Sequence, residues 1–162
     1  MILEVRTAAP QEIDPLAKIW HDGWRDAHAT LLPAELANER TLESLRERLE
    51  TLMPDIRVVG VPGEPLGFSI TKDDELNQLY VAAAARGKGV AQKLIAEFED
   101  RLSGAGISTV WLACAIGNDR AARFYEKSGW YLARTYVADL PISDGIFHLD
   151  VWRYEKVLRS AE

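Results

Sequence analysis

The sequence predicts an α/β (α+β) domain on one mixed, mostly antiparallel sheet of about seven strands, with helices on both faces. Three observations carry this. Residues 56–61, 66–71 and 75–81 are extended in character and joined by the short turns Pro62-Gly63-Glu64-Pro65 and Lys72-Asp73-Asp74, the mark of an antiparallel meander. The third of these strands runs through a glycine-bearing turn into a helix, and a further apolar strand over 108–116 follows, which implies a right-handed parallel crossover. Two more strands close the chain, at 130–137 and 146–155, around a loop from Asp139 to Gly145.

Residues 2–7 read as a short first strand. Pro10, Gln11 and Glu12 suit a first helical turn, after which Ile13, Leu16, Ala17, Trp20, Trp24, Ala27, His28 and Leu31 recur at three- and four-residue steps. Leu31-Leu32-Pro33 ends that helix. A second helical pattern follows, with Thr41 as its cap before Leu42, Leu45 and Leu49. After residues 75–81, Ala91, Leu94, Ile95, Phe98 and Leu102 define another helix, which Gly104 and Gly106 terminate. The run over 108–116 is nearly all apolar and is expected to be buried on both faces. Asn118 caps a last helix, with Ala121, Phe124, Tyr125 and Ser128 on one face and Gly129 at the left-handed position beyond its end.

Composition narrows the function. The 162 residues suit a single domain over 1–162, and 48% hydrophobic with 27% charged residues is ordinary globular content. A net charge of -6 argues against nucleic-acid binding and is compatible with a cationic small substrate. No membrane-length apolar run and no signal peptide are evident, so the expected location is cytoplasmic, with no membrane partner. Cys114 is the only cysteine, set among apolar neighbours as a buried, inert thiol. His21, His28 and His148 have no metal-ligand spacing, so no metal is expected.

The chemistry begins at Arg86-Gly87-Lys88-Gly89-Val90-Ala91. Unpaired amides at a helix start carry partial positive charge, glycines let an anion approach them, and Arg86 and Lys88 add full charges. A diphosphate is the natural guest. A dinucleotide fingerprint would need glycine where Gln92 stands, and a P-loop would need Ser or Thr after Gly-Lys, so neither motif fits.

This hexapeptide resembles the Arg/Gln-x-x-Gly-x-Gly/Ala signature of the GCN5-related N-acetyltransferases, the GNAT family. Asn118-Asp-Arg-Ala121-Ala-Arg-Phe-Tyr125-Glu-Lys-Ser-Gly129-Trp130 resembles that family's later Asn-x-x-Ala-x-x-x-Tyr-x-x-x-Gly-Phe pattern. The order of elements matches too, so the resemblance spans essentially the whole chain. It implies the GNAT fold and acetyl-CoA as cosubstrate. Gly87, Lys88, Gly89, Val90 and Ala91 with Arg86 would hold the pyrophosphate, and Leu79, Tyr80 and Val81 would line the pantetheine arm. Asn118 would also contact that arm. Arg123 could reach the nucleotide phosphates, with an ordinary surface arginine as the blander reading. Ala83 stands where many members have proline, and Trp130 where phenylalanine is usual.

Aminolysis of a thioester needs a base for the protonated amine, a donor for the carbonyl oxygen and a proton for the departing thiolate. Glu75 is the candidate base, placed by strand alternation on one face with Asn77, Leu79 and Val81; the alternative is a solvated carboxylate continuing the Asp73-Asp74 turn. Tyr125 matches the family's tyrosine at the thioester sulfur, and its alternative is a core aromatic beside Phe124. The Val81 amide matches the donor to the carbonyl. By the same resemblance the first helix, the loop after it and the last hairpin shape the acceptor pocket. Trp24 and His28, with Trp20 and the 139–145 loop, are therefore candidates there, though an apolar helical stripe also packs as core.

The expected activity is transfer of an acetyl group to a primary amine of a small molecule by direct attack in a ternary complex. A protein N-terminal or lysine acetyltransferase, and a non-catalytic acetyl-CoA sensor or interaction domain, remain open. So does homodimerisation through strand edges.

Overall fold

The computed structural model describes residues 3–158. Its chain order is β1 (Val5–Thr7), α1 (Ile13–His28), α2 (Ala34–Glu39), α3 (Leu42–Leu52), β2 (Ile56–Val59), β3 (Gly67–Lys72), β4 (Glu75–Val81), α4 (Val90–Gly104), β5 (Thr109–Ala115), α5 (Asp119–Lys127), β6 (Tyr131–Ile142) and β7 (Gly145–Val157). The seven strands form one sheet in the order β1-β2-β3-β4-β5-β7-β6, in which only β4 and β5 run parallel. The meander and the parallel crossover read from the sequence are both present. Of the expected first strand, Val5–Thr7 is formed, and Ile2 lies outside the described residues.

Helices cover both faces. On one, α1 and α3 bury Leu16, Trp20, Trp24, Leu45 and Leu49 against Ile56, Val58, Phe68 and Ile70. On the other, α4 buries Leu94, Ile95, Phe98 and Leu102, and α5 lies beside it over β5 and β7. Full burial of each large apolar side chain contributes about 1.5–3 kcal/mol. The start of α1 is anchored by Glu12, which is fully buried and accepts two bonds from Arg6 at 2.7 Å and one each from the amides of Ala9 (3.0 Å) and Gly63 (3.1 Å). Thr41 caps α3 as expected, its hydroxyl accepting from Ser44 N at 3.1 Å. Among the described residues no helix is long and apolar enough to cross a membrane.

Three expectations need correction. The stretch from Asp139 to Gly145 is mostly strand: β6 continues to Ile142, and only Ser143 and Asp144 turn before β7. Its Pro141 is tolerated because β6 is the edge of the sheet, where a missing N–H costs no ladder bond. β5 is buried throughout on one face, where Val110, Leu112 and Cys114 pack under the helices, but only in part on the other, where Ala115 is buried, Thr109 and Trp111 are half-buried and Ala113 is exposed. The third concerns β4. Thr71 pairs with Leu76 but Ile70 pairs with Gln78, so Asn77 is the extra residue of a β-bulge. Strand partners share a face, and Ile70 and Phe68 face α1 and α3. Glu75 therefore shares a face with Gln78 and Tyr80, opposite Leu79 and Val81.

Candidate active site

The parallel strands β4 and β5 pair at a single position, Glu75 with Trp111, and separate beyond it. Ala82 N donates to the Leu66 carbonyl at 2.8 Å, which sets the phase of the β3–β4 ladder. By the alternation of antiparallel bonding, Gln78 and Tyr80 turn their backbone groups toward β3, while Leu79 and Val81 turn theirs into the gap that β5 vacates. A row of backbone donors and acceptors is thus left open to an extended ligand.

The gap leads to the glycine turn. Gly87 (φ 77°) and Gly89 (φ 83°) are both left-handed, a conformation that a Cβ would strain. Gly89 is the N-cap of α4 and has no side-chain cap bond, and the first helical bond is from Lys93 N to Gly89 O at 3.1 Å. The amides of Val90, Ala91 and Gln92 are accordingly open to an anion. No atom lies within 4 Å of the Cβ position of Gly87, and the nearest to that of Gly89 is at 3.8 Å. Arg86 stands at the rim, 3.0 Å from Asp26.

Turn, strand and α5 meet at one cavity of about 370 Å³, lined by Leu79, Val81, Arg86, Gly87, Gly89, Val90, Ala91, Gln92, Arg120 and Tyr125, among others. A second, more open cavity of about 550 Å³ adjoins it through Arg86 and Arg120 and includes Asn118. Asn118 caps α5, its Oδ1 accepting from Ala121 N at 3.4 Å. The ring of Tyr125 packs against Phe124, Trp130 and Tyr154 at centroid distances of 5.5, 6.1 and 6.2 Å. Its hydroxyl has no hydrogen-bond partner among the described residues, and burial raises the phenol well above its ordinary value, so it holds its proton.

Glu75 is half-buried at the paired end of the gap. Asn77 Nδ2 donates to its Oε1 at 3.1 Å. Burial raises its carboxyl above the ordinary value, outweighing the opposing effect of that bond, and makes it more basic than a solvated glutamate. Around it on the same face lie Trp111, Tyr136 and Arg153, whose guanidinium sits 4.2 Å over the Trp111 ring.

The remaining candidates fall elsewhere. Tyr80 directs its ring toward α1, where a Cβ on Gly23 would come within 2.6 Å of it, and lines none of these cavities. Lys88 is exposed and outside both linings. Trp24 is core, with the His28 ring tilted against it at 5.1 Å between centroids and His28 Nδ1 3.0 Å from the Trp24 carbonyl; burial lowers the His28 imidazole below its ordinary value. Cys114 is buried and its thiol is pushed up to about 12, which keeps it an inert thiol at neutral pH. Arg123 is exposed and lines neither cavity, whereas Arg120, one turn earlier, lines both. Sequence reasoning missed Arg120, whose place in the first turn of α5 was the available signal.

A sheet parted at its central parallel pair, with a phosphate-sized turn at one end of the gap and a protonated phenol beside it, is the arrangement that the resemblance to N-acetyltransferases implies. The acetyltransferase (GNAT) family profile matches residues 14–130, and the chain belongs to that family. An uncharacterized N-acetyltransferase of Mycobacterium bovis is 32% identical over 110 residues, covering 66% of this chain and 69% of the relative. A GCN5-related N-acetyltransferase from Rhodopseudomonas palustris has the same fold, with TM-score 0.75 at 20% identity over 98% of this chain and 99% of that one. The PaiA N-acetyltransferase of Thermoplasma acidophilum, solved with coenzyme A, superposes with TM-score 0.67 at 21% identity over 97% and 99% of the two chains.

Proposed function

We propose that this chain, as one domain over residues 1–162, transfers an acetyl group from acetyl-CoA to a primary amine of a small molecule within a ternary complex. The observation that supports it is the convergence of three features on one cavity: the uncapped amides at Gly89 to Gln92, the open backbone of Leu79 and Val81, and Tyr125. Such a donor set fits a diphosphate on an extended amide-bearing arm.

Acetyl-CoA supplies the acyl group activated as a thioester. The open amides and Arg86, with Arg120, hold the phosphates, and Leu79 and Val81 bond the arm as an added strand would. The Val81 N–H is the donor for the carbonyl oxygen as that oxygen gains charge. Glu75 removes a proton from the ammonium, whose nitrogen forms the new N–C bond as the C–S bond breaks; Tyr125 Oη gives the departing sulfur its proton, and the second proton that the nitrogen sheds as the amide forms returns to the phenolate. Gln78 and Glu75 share the face from which an acceptor would approach.

A thermal melt tests the reading first. Acetyl-CoA at about 100 times its Kd should stabilise the fold by about 2.7 kcal/mol, a rise of about 5–10 °C for a chain of this size. Gly89→Glu, which adds a carboxylate at the cradle, should abolish the rise. No rise in the parent protein at millimolar acetyl-CoA would overturn the proposal. CoA release with an amine panel then separates an enzyme from an acetyl-CoA sensor.

A further inference from the structure

The β4 face that begins at Glu75 ends at Tyr80, and there it meets Arg40, just beyond α2, and Arg48 on α3. Arg6, Arg57, Arg101 and Arg153 are comparably half-buried, and each pairs with a carboxylate. The side chains of Arg40 and Arg48 have neither an ion pair nor a hydrogen bond among the described residues, although the chain carries 25 acidic residues against 19 basic ones. The two repel one another as like charges, and both act on the Tyr80 phenol. Burial draws both below the ordinary arginine value, outweighing for Arg40 the opposing charge of Glu39, with which it forms no ion pair.

The surroundings hold this pair in place. Arg48 lies 4.8 Å over the Trp20 ring, and Trp20, Phe68 and Tyr80 continue as an aromatic wall at centroid distances of 5.9 and 6.0 Å. A guanidinium held over an aromatic ring has N–H groups left to fork a carboxylate. The acid whose charge acts on Arg40, Glu39, is committed elsewhere: its carboxylate accepts from Ser143 Oγ at 2.6 Å and Ser143 N at 3.2 Å, tying the turn between β6 and β7 to α2. Tyr80 lies on β4 between Leu79 and Val81, which line the cavity, so the arginine pair and the cavity flank one stretch of strand.

We infer that the acceptor is an amine that also carries a carboxylate, held by Arg40 and Arg48 a few atoms from the nitrogen that is acetylated. An amino acid, or a short acid resembling one, is the class of substrate. This rests on the acetyltransferase reading above.

The test compares matched amines by CoA release: alanine with ethylamine, phenylalanine with phenethylamine, tryptophan with tryptamine, lysine with cadaverine, and O-phosphoethanolamine with ethanolamine. The carboxylate-bearing member of the best pair should have a kcat/KM about 100-fold the higher, because a site built for a charged group rejects the analogue lacking it. Arg48→Met and Arg40→Gln should each lower kcat/KM for that member about 100-fold, mainly through KM, and leave its carboxylate-free partner within about threefold. Each variant is read only if its melt and its acetyl-CoA shift match the parent; Arg48→Gln and Arg40→Met stand in for one that does not.

Turnover confined to carboxylate-free amines, or an equal loss on both members of a pair, would overturn the inference while leaving the acetyltransferase intact. Preference for O-phosphoethanolamine over every amino acid would replace the carboxylate with a phosphate and overturn it as stated. Parent protein that shows neither an acetyl-CoA shift nor CoA release with any amine would bring down the acetyltransferase reading itself.

Discussion

Replacing Tyr125 with phenylalanine removes one oxygen atom and little else. The ring contacts to Phe124, Trp130 and Tyr154 remain, and the hydroxyl has no hydrogen-bond partner among the described residues, so no partner is orphaned. Stability should therefore change by less than about 0.5 kcal/mol. Catalysis should change far more. A positioned proton donor contributes about 10²–10⁴-fold, and a thiolate with a pKa of about 8.5 needs less help than an alkoxide, so a loss of about 10- to 100-fold in kcat is expected. That corresponds to about 1.4–2.7 kcal/mol of transition-state stabilisation. Initial rates of CoA release, at saturating acetyl-CoA and amine, measure kcat; KM for acetyl-CoA should stay within about twofold. Burial raises the phenol above its ordinary value, so it keeps its proton throughout the neutral and mildly alkaline range and adds no alkaline limb to the parent's pH profile. Full activity in the variant, or a loss confined to KM for acetyl-CoA, would refute the proton-donor role.

Two further perturbations test other parts of the structure. Glu75→Gln should slow turnover most at neutral and mildly acidic pH, where the amine arrives protonated, and the deficit should shrink as pH approaches about 10, the amine's own range. In the parent the rate should fall as pH drops through the raised Glu75 value, because the carboxylate then gains a proton; a pH–rate profile unchanged by the substitution would remove Glu75 from the mechanism. The other concerns stability. Arg6 and two backbone amides hold the Glu12 carboxyl at about 2 against an ordinary 4.5, so the unfolded chain binds the proton more readily. The depressed value contributes about 3 kcal/mol that is fully present above pH about 4.5 and lost as pH falls toward about 2. Glu12→Gln should lower stability by about 2–4 kcal/mol at neutral pH, read by denaturant melts; a variant as stable as the parent would show the buried cluster contributes nothing.

The site was legible in the sequence to the extent that it is local. The turn from Arg86 to Ala91 declares itself because left-handed glycines and a helix start without a capping side chain are properties of a few consecutive residues. The same holds for Asn118 capping α5 and for Tyr125 two turns along from it. With the element order, these short-range features carried the family assignment. What depends on pairing between distant segments could not be read. Alternation put Glu75 beside Leu79 and Val81; the bulge at Asn77, visible only in the register with β3, turns it to the other face with Gln78 and Tyr80. Turn-forming residues at 139–145 suggested a loop, yet the partner strand β7 makes most of it an edge strand. Arg40 and Arg48 belong to no motif that would mark them in the sequence. Only the packing of α3 against Trp20 and the commitment of Glu39 to Ser143 reveal two half-buried cations without an ion pair among the described residues, since burial and ion pairing are properties of the assembled chain.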